Sequence, residues 1–243
     1  MIEGKNGLRY QVASENDLIA KHLMANGEYE PEVVQIAHSL ITHNVGCVLD
    51  IGANIGTFVI PLAAEFRHRD FYCYEVQPKI FALLEENIRL NKLTNIITSE
   101  YGFGAEKQQL TVAVPDYSRE MNVGAFSLDD EVRRNQYEVT TEGEEVTIYL
   151  RPLDSCNFPS IGLIKIDVEG MEQAVIAGGL ETLKKNNYPP IIFECWTWKT
   201  WFLDRLSALL EAIKGFGYVI QQCGNNFIAQ HPKRGVFVEF NFA

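Results

Sequence analysis

The stretch Cys47-Val-Leu-Asp-Ile-Gly-Ala-Asn-Ile-Gly-Thr57 constrains this chain more than any other. A short apolar run ends in an acid, passes a turn of small residues, and enters a segment with helical patterning from Thr57 to Phe66. Strand, glycine turn and helix in that order build the ligand crevice of a doubly wound α/β domain at the carboxyl edge of its first strand. Gly52 and Gly56 lack a Cβ, so the backbone turns tightly there and a flat ligand can come close. Asn54 is a residue type that tolerates a left-handed conformation.

The same stretch narrows the ligand. Dinucleotide sites use G-x-G-x-x-G and aim a helix N-terminus at a pyrophosphate. Here the spacing is G-x-x-x-G, and Asp50 sets a carboxylate where a phosphate would be repelled. A carboxylate suits a cation, such as the amino group and sulfonium of S-adenosyl-L-methionine.

The rest of the chain alternates as a parallel sheet requires. Helices are expected over Asp17–Asn26 and Glu30–His43, then a strand at Cys47–Ile51 and the helix Thr57–Phe66. A second strand, Phe71–Val76, leads to a helix from Pro78 to about Asn91, and a third strand lies near Ile96–Glu100. The alternation resumes with strand Leu163–Val168, helix Met171–Lys185, strand Ile191–Cys195 and helix Lys199–Lys214. Tyr218–Gln222 and Phe227–Gln230 read as an antiparallel hairpin, with Gly235–Phe242 as a further edge segment. Between the halves, Gln109–Val114 and Glu145–Leu150 read as strands flanking a polar loop over 115–143. Loops of that length are uncommon and often functional. The expectation is one Rossmann-like α/β domain over 1–243, mostly parallel with helices on both faces. Residues 1–45 form a helical cap and 103–150 an inserted excursion of strands and loop.

Composition agrees with a globular domain: 243 residues, 47% apolar and 22% charged. No apolar run approaches the roughly 20 residues that span a bilayer, and Met1–Asn16 does not read as a secretory signal. Cys47, Cys73, Cys156, Cys195 and Cys223 form no C-x-x-C pair, and several fall in expected strands, where a free thiol packs as a small hydrophobe. The expected location is the cytoplasm. A net charge of −11 argues against nucleic acid as a partner, which calls for a basic face.

Two further segments carry chemistry. Glu75 ends the second strand, where an acid of a nucleoside-binding α/β fold accepts hydrogen bonds from the ribose hydroxyls. Val76, Gln77 and Pro78 would border the adenine, and Glu100 would accept from its amino group. Ile164-Lys-Ile-Asp-Val-Glu-Gly-Met-Glu172 ends the fourth strand. Charges are costly inside a parallel sheet, so Asp167 and Glu169 belong at its open carboxyl edge, beside the glycine turn. A purely structural alternative has Asp167 capping the next helix and Glu169 paired with Lys165.

Asp50–Gly56, Glu75-Val-Gln-Pro78, Asn122-Val-Gly-Ala-Phe-Ser-Leu128 and Ile164–Glu172 together resemble the FkbM family of S-adenosylmethionine-dependent methyltransferases. Gly27-Glu-Tyr-Glu-Pro31 and Pro190-Ile-Ile-Phe-Glu194 also resemble its pattern, in the same order along the chain. The resemblance implies a class I methyltransferase that methylates hydroxyls on sugars, polyketides or related metabolites. It assigns Asp50, Gly52, Asn54, Gly56 and Glu75 to the cofactor, and sets Glu30, Asp167, Glu169 and Glu194 around the methyl-transfer cleft. Cys195-Trp-Thr-Trp198 stands where a His is common in the family, which leaves the acceptor surface open.

An alcohol is a poor nucleophile unless its proton is drawn off as the bond forms. Asp167 is the expected base, or the anchor of a metal in that role, with Glu169, Glu194 and His22 as lesser candidates. Asn122, Phe126, Trp196 and Trp198 are the expected acceptor contacts. Oxygen ligands at Asp167, Glu169 and Glu194 would suit Mg²⁺ or Ca²⁺, but acids around a cationic cofactor need no metal, and none is expected. The leading reading is O-methylation of a small molecule or glycan. The alternatives are N-methylation of a peptide or nucleic acid, and a noncatalytic cofactor-binding protein.

Overall fold

Short runs of alternating and continuous apolar residues set the architecture of the computed structural model, which describes residues 1–117, 122–135 and 143–242. The chain opens with a small hairpin, β1 (Ile2–Glu3) and β2 (Arg9–Tyr10), followed by α1 (Leu18–Asn26) and α2 (Pro31–His43). Asp17 starts α1 by accepting from the Ile19 amide, and Pro31 starts α2 where its missing N–H costs nothing. Next come β3 (Cys47–Ile51), α3 (Val59–Glu65), β4 (Phe71–Tyr74), α4 (Pro78–Leu90) and β5 (Ile96–Ser99). The excursion contributes β6 (Gly102–Phe103), β7 (Gln108–Ala113), α5 (Asp130–Asn135) and β8 (Glu145–Arg151). The second half runs β9 (Ile161–Ile166), α6 (Glu172–Ala177), α7 (Leu180–Lys185), β10 (Ile191–Glu194), α8 (Leu203–Gly215), β11 (Val219–Cys223) and β12 (Asn226–Gln230).

Seven strands form one sheet in the order β11-β12-β10-β9-β3-β4-β5. All neighbours are parallel except β12, which runs antiparallel to both β10 and β11. β12 thus inserts between β10 and β11, and the expected antiparallel hairpin closes the sheet at that edge. From β3 the chain proceeds to β4 and β5 on one side, and from β9 to β10 on the other. The carboxyl ends of β3 and β9 therefore flank the topological switch point, where ligands of such folds bind. This is the sheet of a Rossmann-like α/β fold.

The period-two alternation of the strands sorts side chains onto two helix layers. Val48 and Leu163 pack toward α2 and α3, with Ile36, Leu40, Val59 and Leu62. Leu49, Ile51, Ile164 and Ile166 pack toward α6 and α8, with Val175, Ile176, Leu206 and Leu209. By the same alternation Asp50 and Lys165, opposite each other in the β3–β9 register, belong to the α2–α3 face.

Several expectations are revised. The helix expected over Met171–Lys185 is two helices, because Gly178 lies against another backbone: a Cβ on it would stand 2.0 Å from the Gly104 carbonyl oxygen. No strand forms over Gly235–Phe242; instead Gln230 holds that segment by a donor and an acceptor bond to Val238. The polar loop expected over 115–143 carries, in its described part, a 3₁₀ turn at Val123–Ala125 and α5. The remainder of that expectation, 118–121 and 136–142, lies outside the described residues. β6, β8 and β7 make a separate three-stranded sheet in that order.

Candidate active site

The turn after β3 is built on close backbone contact. Gly52 has φ +85°, and a Cβ on it would lie 1.8 Å from the Asp167 carbonyl oxygen, so only glycine lets β3 and β9 meet at their ends. The Gly52 and Ala53 amides both donate to the Tyr74 carbonyl, at 3.0 and 2.9 Å. Asn54 follows in the left-handed region (φ 49°), and its amide donates to Glu75 Oε2 at 3.0 Å. Glu75 Oε1 accepts from the amides of Val76 and Gln77, each at 2.9 Å. Burial pushes the Glu75 carboxyl up to about 7 against the pull of these three donors. A carboxylate held by three amides is fixed before any ligand arrives. It borders a narrow cavity of about 70 Å³, lined also by Val76, Phe103, Phe126 and Met171.

Beyond the end of β9 lies a wider cleft of about 290 Å³. Glu30, Asp167, Glu169 and Glu194 all line it, from three separate parts of the chain, with Asn122, Trp196, Trp198 and Lys199. Asn54, Gly124, Asp167 and Glu169 line both this cleft and the narrow cavity, so the two are one continuous site. Burial, then the charge of Asp167, raises the Glu30 carboxyl to about 7 and that of Glu194 to about 8, and holds Glu169 well above its ordinary range. Asn54, Glu30 (φ 48°) and Glu169 (φ 53°) are non-glycine residues in the left-handed region, and all three border this cleft. Such backbone costs on the order of 1–3 kcal/mol per residue and concentrates at functional sites.

Beneath the cleft, Lys165 Nζ donates to Asp167 Oδ2 at 3.0 Å and to the Gly52 carbonyl at 3.1 Å, and stands 3.5 Å from Asp50 Oδ1. Lys165 was paired with Glu169 in the structural alternative above; its partners are instead Asp167 and Asp50. The loop after β9 is tied by Glu172, whose Oε1 accepts from the amides of Val168 (3.2 Å) and Gly170 (3.1 Å). Lys199 lies over the Trp196 ring at 4.0 Å and the Trp198 ring at 5.1 Å.

Four residues stand elsewhere than expected. Asp50 does not reach the cleft: it is fully buried in mid-sheet on the α2–α3 face, and its carboxylate meets Lys165 rather than open space. Gly56 is used for packing, since a Cβ there would press on Ile60 and Leu84 at 2.8 and 2.9 Å. Glu100 is exposed and outside the cavity, whose wall on that side is Gly102 and Phe103. Phe126 lines the narrow cavity and not the acid cleft where an acceptor contact was expected. Conversely, Lys165, Glu172 and Tyr29 form part of the site, although the sequence assigns none of them a functional role. Glu172 and Tyr29 lay within the quoted motifs, and Lys165 is marked only by being a cation inside an otherwise apolar strand. Among the described residues no group of three or more His, Cys, Asp or Glu is disposed to hold a metal ion.

The chemistry of this donor set fits S-adenosyl-L-methionine: a buried acid for a ribose at one end, and a cluster of carboxylates for positive charge at the other. Among curated relatives, Methyltransferase 1 of Beauveria bassiana is 22% identical over 144 residues, covering 54% of this chain and 57% of its own. The tRNA(Phe) (4-demethylwyosine(37)-C(7)) aminocarboxypropyltransferase of Methanocaldococcus jannaschii is 38% identical over 79 residues, covering 32% of this chain and 30% of its own. The chain thus spans less than two thirds of either relative. In fold it is similar to methyltransferase FkbM of Methylobacillus flagellatus KT, with TM-score 0.50 and 16% identity over 76% of this chain and 43% of that one. It is similar also to precorrin-6y C5,15-methyltransferase of Geobacter metallireducens GS-15, with TM-score 0.51 and 15% identity over 92% of this chain and 100% of that one. Residues 50–224 match the Methyltransferase FkbM domain, and this chain therefore belongs to the FkbM methyltransferase family, whose cofactor is S-adenosyl-L-methionine.

Proposed function

We propose that the protein is an O-methyltransferase acting on a hydroxyl of a small molecule or glycan, with Glu194 as the group that takes the hydroxyl proton. One observation carries the reading: four carboxylates from three segments share a cleft continuous with the cavity that Glu75 borders. The bound cofactor supplies a methyl group already activated on a sulfonium, so the protein's task is alignment and proton removal. Glu75, preset by its three amide donors, would hold the ribose hydroxyls, and Val76 and Phe126 would bound the base. Asp167, which lines both parts of the site, would orient the reacting groups.

Asp167 Oδ2 is engaged by the Lys165 ammonium at 3.0 Å, so that oxygen is already taken up within the protein. Among the described residues Glu194 has no such short ion pair, and burial lifts it to about 8, close to where a general base works best near neutral pH. Asn122, Trp196 and Trp198 are then acceptor contacts, with 1–45 as a cap and 103–150 as an insertion in one domain. The overall charge of −11 and the acid cleft both disfavour a nucleic-acid acceptor.

The test is transfer of labelled methyl from S-adenosyl-L-methionine to a panel of hydroxylated acceptors, with products identified by mass. Glu194→Gln should lower turnover by about 10²-fold or more while leaving S-adenosylhomocysteine affinity within about threefold. Transfer to nitrogen only, or an added group larger than methyl, contradicts the reading, as does a Glu194→Gln variant that turns over normally.

A further inference from the structure

A groove of about 460 Å³, larger than the acid cleft, lies beside it. It runs between the first turns of α2 and the length of α3, roofed by the β1–β2 hairpin. Its floor is apolar: Leu8, Tyr10, Val34, Pro61 and Leu62. Its charges sit at the rim and are already paired, Lys5 with Glu28 and His38 with Glu65 at 2.8 Å.

Two residues, Tyr29 and Thr57, line both this groove and the acid cleft, so the spaces adjoin. The chain turns at that junction. Glu28 faces the groove and Glu30 faces the cleft, with Tyr29 between them and Glu30 in the left-handed region at φ 48°. The Tyr29 hydroxyl feels burial first and then the charges of Glu30, Asp167, Glu194 and Glu169, which sets it beside the cleft acids. Strain in a non-glycine residue at the meeting point of two cavities is the kind of outlier that marks function.

We propose that this groove holds the body of the methyl acceptor, an uncharged molecule with an apolar body and hydroxyl groups, whose reacting hydroxyl enters the acid cleft past Tyr29 and Thr57. The inference rests on the function proposed above. The class follows from the lining. An apolar floor favours apolar rings or chains, and a rim whose one lysine is neutralised by Glu28 offers nothing to a phosphate or carboxylate. An acceptor carrying phosphate would also have to approach four carboxylates. Pocket and cleft together would divide recognition: the groove selects the acceptor's body, and the cleft acts on one hydroxyl.

The test uses n-octyl β-D-glucopyranoside below its micellar concentration as the probe, with methyl-labelled Leu, Val and Ile in the full chain. The methyl resonances of Leu8, Val34 and Leu62 should shift saturably, while that of exposed Val219 on β11 stays. Gln35→Trp, at an exposed position of the groove wall, should weaken the probe by about tenfold or more with S-adenosylhomocysteine affinity within about twofold. Val34→Trp gives a second variant that fills the floor. n-Octyl phosphate should not compete. Unmoved Leu8, Val34 and Leu62 methyls, undiminished binding in a folded Gln35→Trp or Val34→Trp variant, or equal binding of the phosphate would overturn the proposal. Failure of S-adenosylhomocysteine to bind would count against the proposed function instead, because the methyl shifts are read with or without it.

Discussion

Asp50 and Lys165 face each other across the β3–β9 pairing, fully within the sheet, with Oδ1 and Nζ 3.5 Å apart. Neither Asp50 carboxylate oxygen accepts a hydrogen bond among the described residues, and the side chain is wholly buried. Burial pushes its carboxyl up and the lysine draws it down. The lysine is the keystone, because the same ammonium also holds Asp167 and the Gly52 carbonyl at the floor of the cleft.

Removing the lysine alone leaves a buried acid with no counter-charge. Lys165→Met should therefore destabilise the protein by about 3–5 kcal/mol, read by urea unfolding. Removing both charges, in the double variant Asp50→Leu with Lys165→Met, should recover much of that loss. A Lys165→Met variant as stable as wild type would show that the pair is not a buried ionic one.

Gly52 admits no substitute. Its φ of +85° and the 1.8 Å approach of a would-be Cβ to the Asp167 carbonyl mean that Gly52→Ala must separate β3 from β9 at the switch point. The expected cost is about 4 kcal/mol or more, in the range reserved for a named structural fault. Gly124→Ala is the comparison: its Cβ would crowd the end of the flexible Asn54 side chain at 2.7 Å and touch nothing else closer than 3.7 Å, and the penalty should be smaller. Equal thermal midpoints for the two would contradict this.

Stability without ligand should fall as pH rises. Burial lifts the carboxyls of Glu30, Glu75 and Glu172 to about 7 and of Glu194 to about 8 in the folded state, from an ordinary 4.5. Folded protein then binds more protons than unfolded protein, so the stability these groups add is complete below the ordinary value and is lost as pH climbs through 7 and 8. Unfolding free energies measured from about pH 5 to about pH 8 should decline, and Glu172→Gln should flatten the slope. A rising profile over that window would be the wrong sign.

Glu75→Gln replaces one acceptor oxygen by a donor that must face an amide of Asn54, Val76 or Gln77. S-adenosylhomocysteine affinity should drop by about tenfold or more, equivalent to about 1.4 kcal/mol, by calorimetry. An unchanged affinity would remove Glu75 from the ribose.

The parts of the fold written in long apolar periods were legible. β3 spans Cys47–Ile51 as expected, and the start of α4 at Pro78 follows from its proline. The β1–β2 hairpin was not, because two-residue strands carry no period to detect. Within the site, Glu75 and Asp167 could be set at strand ends because an acid there escapes the sheet interior. Asp50 misled by the same logic. It precedes the last residue of β3 by one position, and which face it takes depends on its pairing with Lys165, a register no local pattern reveals. Glu172 was hidden for a different reason: an acid at the first turn of a helix is ordinary, and only the folded loop turns it back onto the Val168 and Gly170 amides. Tyr29 needed the cavities themselves.

The most direct measurement is a crystal structure with S-adenosylhomocysteine bound. The nucleoside should lie across the carboxyl ends of β3 and β4 with both ribose hydroxyls on the Glu75 carboxylate, and its amino acid end should reach toward Glu30, Asp167, Glu169 and Glu194. Ligand density away from Glu75, or an amino acid end directed out of the acid cleft, would contradict the account.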